Sequence, residues 1–131
     1  MKNTNSESET HPLYPSGDWQ GFYIYAQGPN AQQHAMHSLL RFHNQQITGT
    51  GFDDVGAFSW SGSYNLNTHT VSLVKSYATH QVSYQGYADE QGIWGNWTLS
   101  RIKGGFHIWP KRSEANHAKK EVEAVSELGT G

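Results

Sequence analysis

Six side chains suited to polar chemistry, Asp53, Lys75, Tyr77, His80, Tyr84 and Arg101, fall between positions 53 and 101 of a 131-residue chain. A lysine that shares a face with Val71, Leu73 and Tyr77 needs an acceptor close by, because an unpaired ammonium among apolar groups is costly. Asp53 is the leading candidate for that acceptor. A Lys–Tyr–His trio at one place would also serve proton transfer. Trp60 and Trp97 add broad apolar contact area with a polar edge. Asp53, Trp60, Lys75, Tyr77, His80, Tyr84, Trp97 and Arg101 are therefore the expected ligand-binding residues. Each also has a plainer role. Asp53 and Asp54 precede Val55-Gly56 and have turn chemistry. Lys75 would run its stem along a wall to solvent, or form a structural ion pair. The tyrosines would pack, each with one hydroxyl partner.

Other chemistry is poorly supported. The chain has no Cys, which removes disulfides, thiolate zinc sites and a Cys nucleophile. It has no Gly-x-Ser-x-Gly, no phosphate-binding loop and no His-Glu-x-x-His. Asp53 and Asp54 are adjacent, so on a strand they diverge and make a poor acid–base pair. His34 and His37 would face opposite ways on a strand and could not share a metal. No metal site and no cofactor are expected, and nothing identifies a catalytic residue. Nine Lys/Arg against eleven Asp/Glu give a net charge of −2, too flat to attract nucleic acid or an anionic membrane. No apolar run approaches the ~20 residues of a transmembrane helix, and the N-terminus lacks the apolar stretch of a signal peptide. The expected location is cytoplasmic.

Positioning the polar residues falls to a series of short alternating segments, at about 19–26, 35–43, 46–53, 57–66, 70–78, 80–88, 92–101 and 105–110. Phe58, Trp60, Gly62 and Tyr64 alternate with serines and Asn65. Val82, Tyr84 and Gly86 alternate with polar residues in the same way. Period 2 of this kind is a half-buried strand. The connectors His43-Asn44-Gln45, Asn67-Thr68-His69 and Lys103-Gly104-Gly105 read as turns. None is long enough for a parallel crossover. Eight consecutive strands with one apolar face each predict an all-β, antiparallel, up-and-down barrel, which closes both sheet edges. The inward Gly21, Gly49, Gly51, Gly62, Gly86 and Gly95 fit strong coiling, and equally fit an interior with room for a ligand.

Trp19-Gln-Gly21-Phe-Tyr23 at the first strand and Trp97-Thr-Leu99-Ser near the end resemble the calycin barrels of the avidin and lipocalin kind. From Ile47 to Pro110 the chain also resembles a small uncharacterised barrel family. Its elements here are Gly49-x-Gly51-x-Asp53-x-x-Gly56-x-Phe58, Lys75-x-Tyr77, His80-x-Val82-x-Tyr84-x-Gly86 and Gly95-x-Trp97. The resemblance implies a calycin-like barrel. It does not supply the ordered biotin contacts of an avidin.

In a meander, turns alternate between the two ends. One end collects the long 26–34 connector, Asp53, Asp54, Tyr77, His80, Arg101 and Lys103, with Lys75 one step down the wall. That end is the expected mouth, with the Gly/Pro/Gln connector as a candidate lid. Residues 1–17 read as a disordered leader with Leu13 and Tyr14 able to pin its end, 18–112 as the barrel, and 113–131 as a short C-terminal helix or tail that would cover the far opening. The expected function is binding of a small, partly apolar molecule. The alternatives are an acid–base isomerase or hydrolase at the same mouth, and a filled barrel that serves protein interaction. Outward Trp94 and Trp109 offer a homo-oligomer contact.

Overall fold

The computed structural model describes residues 8–25 and 32–111. Eight strands run in chain order: β1 (Gly17–Tyr25), β2 (His34–His43), β3 (Gln46–Asp53), β4 (Ala57–Tyr64), β5 (Thr70–Tyr77), β6 (Gln81–Asp89), β7 (Gly92–Leu99) and β8 (Ile102–Pro110). Each pairs antiparallel with its neighbours, and β1 pairs with β8 to close the barrel. The architecture is the all-β, eight-stranded, up-and-down barrel that the alternation demands. The segment expected as a C-terminal helix and the 26–31 part of the expected lid lie outside the described residues. Among the described residues no helix is long and apolar enough to cross a membrane.

Alternation sets the wall. In β4, Phe58, Trp60 and Tyr64 are buried while Ser59, Ser61 and Ser63 face out. The β2–β3 hairpin turns through Asn44 (φ 55°) and Gln45 (φ 59°), the left-handed pair that suits the twist of a two-residue hairpin. The last hairpin turns at Ser100 (φ 57°) and Arg101, and β8 starts at Ile102, three residues before the expected 105. Gly104 therefore lies within β8, where its partner in register is Trp97. A Cβ there would stand 2.7 Å from the Trp97 ring and 2.0 Å from the Ile24 carbonyl oxygen. At Gly51 a Cβ would meet the Phe58 ring at 2.7 Å. The space these glycines free is taken up by aromatic rings, not left for a ligand.

The interior is filled by side chains, as a barrel of eight strands permits. At the end opposite the mouth, Tyr14 is fully buried and lies against Tyr64 (4.5 Å between ring centroids) and Phe42 (5.6 Å). The Glu9 backbone N–H donates to the Phe42 carbonyl (2.8 Å), and the Glu9 carboxylate accepts from the Tyr64 hydroxyl (2.7 Å). Residues 9–14 thus lie across the far opening, the place where the C-terminal segment was expected. Trp60 and Tyr84 meet edge to face at 4.9 Å, and Tyr84 meets Phe106 at 4.8 Å, filling the barrel toward the mouth.

Candidate functional site

Parity places Asp53 at the inward end of β3 and Lys75 inward on β5, two strands away. The Lys75 ammonium donates to Asp53 Oδ2 at 2.5 Å and to the Tyr77 hydroxyl oxygen at 3.0 Å. The Tyr77 hydroxyl donates to the same Asp53 Oδ2 at 2.5 Å. The other carboxylate oxygen, Oδ1, accepts the backbone N–H groups of Val55 (2.9 Å) and Gly56 (3.3 Å). Asp53 therefore serves as both ion-pair partner and turn residue, one oxygen for each. The pair is sealed, with side-chain exposures of 1% for Lys75 and 0% for Asp53. Five rings surround the ammonium, from Phe58 at 4.6 Å and Tyr23 at 4.8 Å to Trp60 at 5.6 Å. Burial pushes the Lys75 ammonium below its ordinary range, against the opposing pull of Asp53. Burial and the Asp53 carboxylate together hold the Tyr77 phenol well above its usual value.

A second polar group stands beside it at the rim. The Tyr23 hydroxyl donates to Asp54 Oδ1 (2.6 Å), and His34 Nδ1 lies 2.6 Å from Asp54 Oδ2. The imidazole stacks on the Tyr23 ring at 4.7 Å. Partial burial works to raise the Asp54 pKa, but the bonds from Tyr23 and His34 outweigh it and hold the carboxyl low.

Above the ion pair the mouth holds a recess of about 70 Å³, lined mainly by Tyr23, Tyr25, Tyr77, Tyr84 and Trp97, with Val82 and Leu99. Its rim is apolar and open to water: Tyr25 is 48% exposed, Val55 55% and Ile102 51%. His80 stacks on Tyr77 at 4.8 Å and completes the lip. The Trp97 indole N–H donates to the Ile24 carbonyl at 3.0 Å, which fixes its ring in the wall.

Of the eight residues singled out in the sequence, Tyr77, His80, Tyr84 and Trp97 line the recess. Asp53 and Lys75 lie beneath it as its sealed floor. Trp60 sits deeper, its indole N–H donating to Ser38 Oγ at 2.9 Å. Arg101 is exposed in the β7–β8 turn and does not line the recess. Sequence reasoning did not single out Val55 and Ile102, which lie at turn edges, or Tyr23 and Tyr25 of β1. Their inward parity at the mouth end of β1 was the available signal. Among the described residues no group of three or more His, Asp or Glu is placed to hold a metal ion. Comparison of the chain with protein-family models, curated proteins and solved structures gave no match.

Proposed function

We propose that the barrel binds a small, partly apolar molecule at its mouth. The supporting observation is the recess of about 70 Å³, whose aromatic walls continue into an exposed apolar rim at Tyr25, Val55 and Ile102. Exposed apolar groups that ring a concavity are what a partly buried ligand would cover. A cavity of about 150 Å³ holds benzene, so the recess takes the end of a molecule while its body rests on the rim. Native mass spectrometry of freshly purified protein tests this. A retained mass that is lost with Ile102→Asp supports the reading. A bare mass, with no ligand binding found in a metabolite panel, goes against it.

The filled interior supports a second reading, a protein-interaction module. Tyr87, Trp94, His107 and Phe22 are partners in register across β6, β7, β8 and β1, and form a row of rings on the outer wall. Trp94 is 43% exposed and Tyr87 53%. Self-association through this row and Trp109 would be seen as a concentration-dependent mass in analytical ultracentrifugation. The acid–base enzyme has less support, because Lys75 and Asp53 do not line the recess.

A further inference from the structure

Granted a ligand at the mouth, we infer that it is an uncharged molecule whose inner end is a carbonyl-type acceptor, held by the Tyr84 hydroxyl. The inference rests on following each polar group at the recess to its partner. The Tyr77 hydroxyl is spent on Asp53 and the Tyr23 hydroxyl on Asp54. The Trp97 N–H is spent on the Ile24 carbonyl. Tyr25 stands half in water, and the His80 Nδ1 lies 2.8 Å from the Thr79 hydroxyl in an exposed turn. Tyr84 is different. It is only 2% exposed, and among the described residues its hydroxyl reaches nothing better than the Met36 thioether at 3.9 Å. A thioether sulfur is a weak acceptor, and a buried hydroxyl without a good partner is costly. Burial holds this phenol above its usual value, so it stays a neutral donor.

Charge is decided by the floor. Among the described residues Lys75 is the one cation beneath the recess, and Asp53 already balances it at 2.5 Å. An added carboxylate would be desolvated among aromatic rings with Lys75 already paired, and an added ammonium would find Asp53 balanced by Lys75 and Asp54 already accepting from Tyr23 and bonded to His34. Size restricts the inner group to a few heavy atoms. An acetyl or amide end on an apolar body meets all three conditions.

The test uses four six- or seven-carbon probes on the whole chain, followed by the Trp97 indole N–H resonance: 2-hexanone, its alkene isostere 2-methyl-1-hexene, hexanoate and hexylammonium. The ketone should bind tighter than either ion by at least about tenfold. Tyr84→Phe should weaken the ketone by about two- to tenfold, the range of one hydrogen bond, and leave the alkene unchanged. Removing a poorly paired hydroxyl keeps the fold, so this variant reports on binding. Equal ketone binding by wild type and Tyr84→Phe, or ion binding as tight as the ketone's, overturns the inference and leaves the mouth reading standing. If none of the four binds, the mouth reading fails and the inference fails with it.

Discussion

Asp53→Asn should be the more harmful half of the Lys75–Asp53 pair, and the double variant with Lys75→Met should be nearly harmless. Asparagine keeps a side-chain oxygen for the Val55 and Gly56 N–H groups, so the turn survives and the charge alone is removed. Lys75 is then left with the Tyr77 oxygen at 3.0 Å and five ring faces at 4.6 to 5.6 Å. Breaking a buried pair in this way costs about 3–5 kcal/mol, a large share of the ~5–15 kcal/mol that holds a domain together. Lys75→Met leaves Asp53 with three donors, from Tyr77, Val55 and Gly56. Its cost should be smaller, about 1–3 kcal/mol. With both charges gone the methionine stem lies among aromatic rings, and the double variant should fall within about 1 kcal/mol of wild type or above it. Urea unfolding at constant m measures all three. The expected coupling energy is at least about 2 kcal/mol. Additive losses, or a Lys75→Met that is worse than Asp53→Asn, would refute the sealed-pair reasoning.

Alkaline pH should unfold the protein cooperatively. Burial raises the phenols of Tyr14, Tyr23, Tyr64, Tyr77 and Tyr84 above the ordinary value of 10.0. Their stabilisation is complete below pH 10 and is lost as pH rises above it, because the unfolded chain releases those protons first. Each phenol whose folded value stays well above the working pH contributes up to about 1.4 kcal/mol per pH unit, and the contributions add. Lys75, whose folded value is lowered, runs the other way up to its unfolded 10.5, one group against five. The greater part of the absorbance change at 295 nm should coincide with loss of the circular dichroism signal, whereas ionisation of more than the two half-exposed tyrosines, Tyr25 and Tyr87, with strand signal intact would contradict this. Tyr14→Ala should cost about 3–5 kcal/mol; Tyr14→Phe should be neutral or stabilising, since that buried hydroxyl has no partner among the described residues. Chemical denaturation of the two variants separates packing from polarity at the closed end. Ile102→Asp should leave the thermal midpoint within a few degrees, because the side chain is 51% exposed, and should abolish retention of any mouth ligand.

Strand number, order and facing were legible because alternation and turn residues act locally, and a one-residue slip would turn every buried ring outward. Lys75 facing Asp53 followed from the same parity plus the cost of an unpaired ammonium. The start of β8 was obscured because Lys103-Gly104-Gly105 has turn composition; Gly104 is there to admit the Trp97 ring from the neighbouring strand, a demand invisible in local sequence. The closing of the far end by residues 9–14 was equally hidden. Only Leu13 and Tyr14 stand out in a polar stretch, and Tyr14 is buried by packing against the rings of Phe42 and Tyr64, distant in the chain. The inward glycines were ambiguous between coiling and cavity until Phe58 was found against Gly51, Phe106 against Gly86 and neighbouring-strand backbone against Gly21, Gly62 and Gly95. Asp54 read as a turn residue, and its bonds to Tyr23 and His34 depend on three elements meeting at one rim.

The mouth as the binding site is tested most directly by mapping where small molecules land. A library of neutral fragments titrated into uniformly ¹⁵N-labelled protein should produce shifts concentrated at the Trp97 indole and at the amides of Val55, Leu99 and Ile102. Shifts concentrated instead on the outer row of Phe22, Tyr87, Trp94 and His107, with the mouth silent, would contradict the account.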